Sequence, residues 1–278
     1  MIRSAVMAAR DNRAVILVLG MHRSGTSALT GALAETGARL PSNLLLPQAD
    51  NPHGFFESDA IVRLHDEILA EVDSSWDDPS PWTSSKLASI RRADFRHRLW
   101  EVLRVDMPGS GPLLVKDPRL CRLLPVWQDL AEERGFETRY VLVVRHPMEV
   151  AASLAKRNGM AMTLALSLWL RSYLDVEQAT CGSARPIAHY DTFLREKSRF
   201  VLPLAAALGI ACQRPVDEVG ELIDKKLSAD QRHFIAAASD LSCFGTIPGT
   251  VRSMYEWLLT GLHPSIASTN YTEIAKNC

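Results

Sequence analysis

The feature that most constrains this chain is an apolar run that breaks on a glycine. Residues 14–20, AVILVLG, are continuously apolar, as in a strand covered on both faces, and Gly25 then opens onto TSALTGALAETG, whose apolar residues recur at helical spacing. A strand, a glycine-flanked turn and a helix in that order make a phosphate cradle. Gly20 and Gly25 let successive N–H groups point into one concavity, and the helix adds its positive N-terminal end. Gly20-x-x-x-x-Gly25 has the glycine spacing of a nucleotide-binding P-loop, but Thr26 stands where a kinase of that type carries lysine. The cation of the loop is Arg23. A strand–turn–helix junction with fortuitous glycines is the plain structural alternative.

The rest of the chain continues the rhythm. PLLVK (112–116), YVLVV (140–144) and PIAHY (186–190) are further short apolar runs. Between them lie helical segments that stop at Gly37, Gly135 and Gly159, a segment that opens on Pro147, and a long amphipathic stretch at 163–180. The alternation predicts an α/β fold: a P-loop-like three-layer sandwich with a central four- to five-stranded parallel sheet flanked by helices and right-handed crossovers. We read all 278 residues as a single domain with its core at 14–210. Residues 41–100, rich in Pro, Asn, Ser and aromatics, form an irregular acceptor or lid region, and 211–278 a helical C-terminal part and tail.

Composition narrows the partners. The chain is 47% hydrophobic with a formal net charge of −1, so nothing in the global balance suggests a nucleic-acid or membrane-surface protein. Local cations must carry any anion binding. No stretch approaches the roughly 20 apolar residues of a membrane span, and MIRSAVMAARDNR is too charged for a secretory leader. Cys121, Cys181, Cys212, Cys243 and Cys278 are scattered without a C-x-x-C pair, which fits reduced, mostly buried thiols in a cytoplasmic protein. The histidines lack metal-ligand spacing, so no metal is expected.

The loop GMHRSGTSAL resembles the 5′-phosphosulfate-binding loop of sulfotransferases that use 3′-phosphoadenosine 5′-phosphosulfate (PAPS). In that family a cation within the loop does the work of the kinase lysine. The resemblance implies that Arg23, Ser24, Gly25, Thr26 and Ser27 hold the 5′-phosphate. VVRHPMEVAASLAKR is similar to the family's 3′-phosphate site, a strand-end Arg followed eight residues later by Ser, here Arg145 and Ser153. An Arg fork grips a phosphate bidentately and a serine about two helical turns on adds a hydroxyl. HYDTFL resembles a weaker element that places a strand-end tyrosine, Tyr190, near the cofactor.

Sulfuryl transfer needs in-line geometry and a cation where charge develops on the departing oxygen. LLVKDPRL offers Lys116 at a strand end, and is similar to the Lys-Asp-Pro or Lys-Ser-Pro strand of tyrosylprotein and Golgi carbohydrate sulfotransferases. The cytosolic small-molecule branch has Lys-Thr-His there, with the histidine as base; Pro118 takes that place here. Another base is needed, and Glu57 in NPHGFFE, beside Phe55 and Phe56, is the candidate, with Asp117 and His53 as rivals. The alternative for Glu57 is a charge before a helix N-terminus, and for Asp117 a residue that orients Lys116. His22, Arg119, Arg122, Arg157, Trp76, Trp82 and Trp100 have roles in the site or in packing. The expectation is a metal-independent sulfotransferase with PAPS as donor and 3′-phosphoadenosine 5′-phosphate (PAP) as product. Its acceptor is a glycan, glycolipid or small molecule. A P-loop kinase using ATP–Mg²⁺ and a non-catalytic nucleotide-binding relative are the alternatives.

Overall fold

The computed structural model describes residues 14–48, 51, 54–109, 111–227 and 249–260. The N-terminal stretch weighed as a leader, His53, Cys243, Cys278 and the tail after 260 lie outside the described residues. Four strands, β1 (Ala14–Leu19), β2 (Leu113–Lys116), β3 (Glu137–Val144) and β4 (Ile187–His189), form one parallel sheet in the order β2-β1-β3-β4. Every residue of β1 and β2 is buried, which is why both read as unbroken apolar runs. β3 begins three residues before its apolar run. Ala14 and Val15 offer ladder partners to Glu137 and Thr138, so backbone pairing carries polar residues into the strand. β4 pairs with β3 over three residues only, and Tyr190 already belongs to the following helix.

Side chains alternate across the sheet and separate two apolar layers. Ile16, Val18, Leu114, Val141 and Val143 face α1 (Thr26–Glu35) and the later helices α8 (Tyr190–Glu196), α9 (Ser198–Ala207) and α10 (Val216–Lys226). Val15, Leu17, Leu19, Val115, Leu142 and Val144 face α2 (Asp59–Ala70), α3 (Ser84–Ile90), α4 (Ala93–Asp106), α5 (Leu120–Arg134), α6 (Pro147–Asn158), α7 (Met162–Thr180) and α11 (Gly249–Thr260). Residues 41–100 are less irregular than their composition suggests, since α2, α3 and the start of α4 lie within them. Of the described cysteines Cys121 is buried, Cys212 intermediate and Cys181 exposed. No helix among the described residues is long and apolar enough to cross a membrane.

The register aligns the strand ends: Val18 pairs with Lys116, Leu19 with Leu142, and Val144 with His189. The chain leaves β1 for α1 on one layer and leaves β3 for α6 on the other. The crevice beyond these two strands is therefore a topological switch point, where α/β sheets bind ligands.

Candidate active site

The loop from Gly20 to Gly25 lies in that crevice. Gly20 (φ 147°) and Gly25 (φ 93°) take backbone conformations that favour glycine, and both are tightly approached. A Cβ on Gly20 would lie 2.7 Å from the Val143 carbonyl oxygen, and one on Gly25 only 2.1 Å from Cδ2 of Tyr190. Arg23 is itself left-handed at φ 68°, strain of the kind proteins keep at functional positions. Gly25 caps α1 without a side-chain hydrogen bond, and the first turn holds no acidic residue. The first turn of α1 therefore has neither a side-chain cap nor an acidic residue of its own.

Buried groups brace this loop from below. The Gly20 N–H donates to Cys121 Sγ at 3.3 Å, and burial pushes the Cys121 thiol up to about 12, so it stays neutral. Tyr173 donates to the Val143 carbonyl at 2.8 Å and lies 3.3 Å from Ser24 Oγ. One turn earlier, Trp169 donates to the Arg145 carbonyl at 3.1 Å. Sequence reasoning named neither aromatic, although their i, i+4 spacing on one apolar helix face is a legible packing signal.

Arg23, Arg145, Ser153 and Tyr190, far apart in sequence, converge on one side of the loop. Arg23 Nε donates to Ser153 Oγ at 2.9 Å, and Arg145 Nη1 to the Arg23 carbonyl at 3.1 Å. The Arg145 guanidinium lies 4.5 Å above the Tyr190 ring, a cation–π contact that fixes its plane. Its Nε donates to Glu149 at 2.7 Å. Glu149 is fully buried and was not anticipated; the i, i+4 spacing from Arg145 was its only trace in the sequence.

On the other side stands Lys116. Its Nζ donates to Ser27 Oγ and to the Phe55 carbonyl, both at 3.2 Å, and to Glu57 Oε1. The pair is buried, with the lysine side chain 3% and the glutamate 8% exposed. Burial raises the proton affinity of Glu57, against the opposing pull of Lys116. Phe56 holds this segment in place. It is left-handed at φ 57°, and its ring packs so closely on Gly31 of α1 that a Cβ there would come within 2.9 Å. Lys226 Nζ lies 5.5 Å from the centre of the same ring.

Asp117, one residue after Lys116, engages different partners. It accepts from the Arg119 N–H and Nη1, each at 3.0 Å, and meets His65 Nδ1 at 2.7 Å. Trp127 donates its indole N–H to His65 Nε2 at 3.0 Å, so the remaining ring proton sits on Nδ1 and points at Asp117. Burial alone would raise the carboxyl; Arg119 and His65 outweigh it and hold Asp117 far below the usual carboxylate range. Arg119 also pairs with Asp66. Arg122 donates to the Asp78 and Ser80 carbonyls and lies 4.3 Å over the Trp82 ring, while Trp100 stacks on Phe136 at 6.5 Å. These are packing roles, whereas Trp76 lies 4.7 Å from the His22 ring beside the loop.

The site thus assembles a strained glycine-flanked loop, two arginines and a hydroxyl at one end, and a buried Lys–Glu pair at the other. No protein-family model matches this chain, and no curated protein matches it in sequence. Solved structures do match. The sulfotransferase domain of the Synechococcus PCC 7002 olefin synthase is 16% identical with a TM-score of 0.46, over 95% of this chain and 94% of that one. The sulfotransferase domain from the curacin biosynthetic pathway is 15% identical with a TM-score of 0.45, over 95% and 97%. The sulfotransferase from Alicyclobacillus acidocaldarius is 15% identical with a TM-score of 0.50, over 91% of this chain and 96% of that one. Identities this low speak to fold, and the fold of this chain is that of the Alicyclobacillus sulfotransferase.

Proposed function

We propose that this protein moves a sulfuryl group from PAPS to a hydroxyl of a glycan, glycolipid or small-molecule acceptor by in-line displacement, without a metal ion, leaving PAP. One observation carries the reading: the loop that lacks a kinase lysine receives a buried lysine from the neighbouring strand end, with Lys116 Nζ 3.2 Å from Ser27 Oγ and bonded to Glu57. A strand-end ammonium beside a phosphate loop suits a reaction that builds charge on a bridging oxygen. The chain's own groups fit the donor's two anionic ends. Gly20 and Gly25 let the loop pack against the Val143 carbonyl and the Tyr190 ring, where a Cβ would collide, and the cations and hydroxyls around it suit anionic groups.

The donor brings an activated sulfuryl group on a bridging oxygen; the rest falls to the protein. Arg23, Ser24, Gly25, Thr26 and Ser27 hold the 5′-phosphate through loop N–H groups, hydroxyls and the α1 dipole. Arg145 and Ser153 hold the 3′-phosphate, with the Tyr190 ring setting the plane of the Arg145 fork. Lys116 stabilises the negative charge that develops as the bond to the donor opens. Glu57 takes the acceptor's hydroxyl proton, a task helped by the burial that raises its proton affinity. Asp117 positions: it ties the turn after β2 to α2 through His65 and holds Arg119. The Lys116-Asp117-Pro118 order supports the carbohydrate or tyrosylprotein type of sulfotransferase over the Lys-Thr-His type.

Calorimetric titration with PAP, against ATP with Mg²⁺, on the wild type and Arg145→Ala tests this reading. Metal-free PAP binding is expected. It should weaken at least about 30-fold in the variant, the low end of the ~2–5 kcal/mol lost when one partner of a buried charged contact is removed. Binding of ATP–Mg²⁺ without PAP would return the kinase alternative. Tight PAP binding with no turnover on any acceptor would favour a non-catalytic relative.

A further inference from the structure

A buried carboxylate stands where an anion is proposed to bind. Glu149 lies in the first turn of α6, four residues after Arg145 and four before Ser153, the two residues assigned to the donor's 3′-phosphate. Its side chain is 0% exposed and that of Arg145 7%, and Arg145 Nε donates to Glu149 Oε2 at 2.7 Å. An acidic residue in a first helical turn commonly serves the helix dipole from the surface; one sealed from solvent against a guanidinium has a closer task. Stability alone is a poor reason for the pair. Taking two charges out of water offsets most of what their attraction returns, and well-packed apolar residues hold such a position equally well.

Orientation is the better reason. The Arg145 guanidinium is held from three directions: Glu149 takes Nε, the Arg23 carbonyl accepts from Nη1 at 3.1 Å, and the Tyr190 ring lies 4.5 Å away across its face. A planar fork fixed at Nε, at one terminal nitrogen and across its face has one way to present its donors. The hydrogen bonds run on from Arg23 Nε to Ser153 Oγ at 2.9 Å, and α6 carries the chain back from Ser153 to Glu149. Loop, fork and helix therefore set one another. The carboxylate also cancels the charge of Arg145. A site arranged this way recognises a phosphate by the direction of its N–H groups more than by net charge.

We infer that Glu149 is a positioning residue that locks the Arg145 fork for the donor's 3′-phosphate, and so sets the preference for a nucleotide that carries this group over one that lacks it. The inference rests on the donor reading, and its test separates the two. PAP and adenosine 5′-phosphate, which lacks only the 3′-phosphate, are titrated calorimetrically into the full wild-type chain, Glu149→Gln and Glu149→Leu. Glutamine keeps an acceptor at the same reach without the charge, whereas leucine keeps apolar bulk and accepts nothing. The wild type is expected to favour PAP by at least about tenfold. Glu149→Leu should lose at least about tenfold of that preference through PAP alone, and Glu149→Gln should keep it within about threefold. Glu149→Leu with the preference intact, Glu149→Gln as impaired as Glu149→Leu, or equal weakening of both nucleotides overturns the inference. Arginine-labelled NMR of the wild type gives a reading that needs no variant at Glu149. The Arg145 Nε–H, assigned by its loss in Arg145→Lys, should exchange slowly with solvent in the nucleotide-free chain, and fast exchange there overturns the lock. A wild type without preference for PAP counts against the donor reading, and the inference falls with it. A wild type that has the preference and a Glu149→Leu chain that keeps it count against the inference alone.

Discussion

The buried Lys116–Glu57 pair should respond unequally to the loss of each partner. Glu57→Ala strands an ammonium that is 3% exposed. Breaking a buried pair in this way typically costs about 3–5 kcal/mol; the contacts of Lys116 to Ser27 and Phe55 place this case at the low end. Lys116→Met strands a carboxylate instead, and a carboxylate can escape by taking a proton. Burial already raises Glu57, and Lys116 is the foremost influence holding it down, so the variant's folded-state pKa lies above the wild-type one. Below the unfolded value both chains hold a protonated Glu57 and no charge penalty remains. As pH rises between the wild-type and variant values, the deficit grows by about 1.4 kcal/mol per pH unit. Urea unfolding from pH 5 to 8 should show a Lys116→Met deficit near ~1 kcal/mol at the acid end and about 3–5 kcal/mol at the alkaline end. Adding Glu57→Gln to Lys116→Met removes the stranded charge and should recover most of the alkaline loss. A deficit equal at pH 5 and 8, or a double variant no better than Lys116→Met at pH 8, refutes the reasoning.

Two further outcomes follow from the same geometry. Gly25→Ala would put a Cβ 2.1 Å from the Tyr190 ring at φ 93°, so the ring and the Arg145 fork above it must shift by an ångström or more; PAP affinity should fall about 100-fold by calorimetry, and a loss under threefold would show that the ring is not part of the donor site. Asp117→Asn removes a carboxylate whose folded-state pKa is depressed, so its contribution is present above the unfolded value and lost only as pH falls through the folded one. Urea titration should therefore find a deficit of about 2–4 kcal/mol that is flat from pH 5 to 8 and narrows only in strong acid. A deficit that changes between pH 5 and 8 would contradict that sign.

What could be read from the sequence was what local chemistry specifies. β1, β2 and the core of β3 are apolar on both faces, and α5 and α6 each end on a left-handed glycine, Gly135 and Gly159. The Gly20–Gly25 spacing and the Arg145-to-Ser153 interval survive as spatial neighbours because each spans a single strand–helix junction. What escaped depended on contacts between distant segments. His65 is one of several polar residues on α2 until Trp127 and Asp117 close around it. Tyr173 looks like ordinary core until α7 packs its hydroxyl beneath Ser24. The helices within 41–100 were obscured by a composition rich in loop-forming residues, although Ser58 caps α2 by accepting from the Ile61 N–H at 3.4 Å.

The different fates of Lys116 and Asp117 follow from strand parity. In β2, Leu113 and Val115 face the layer of α2 to α7, while Leu114 faces α1. Lys116, two residues beyond Leu114, therefore points toward α1 and reaches Ser27 at its first turn. Asp117 follows on the opposite parity and meets His65 of α2 and Arg119 at the start of α5, which together satisfy its carboxylate. Two adjacent charged residues thus serve two layers: one reaches the glycine-flanked loop as a cation, and the other ties the turn after β2 to His65 of α2. A one-residue slip of β2 would exchange them, placing a carboxylate against the first turn of α1 and a lysine beside Arg119. The buried apolar run that fixes the β2 register, Leu113 to Val115 against Val15 to Leu17, therefore also fixes the sign of charge at the mouth of the loop.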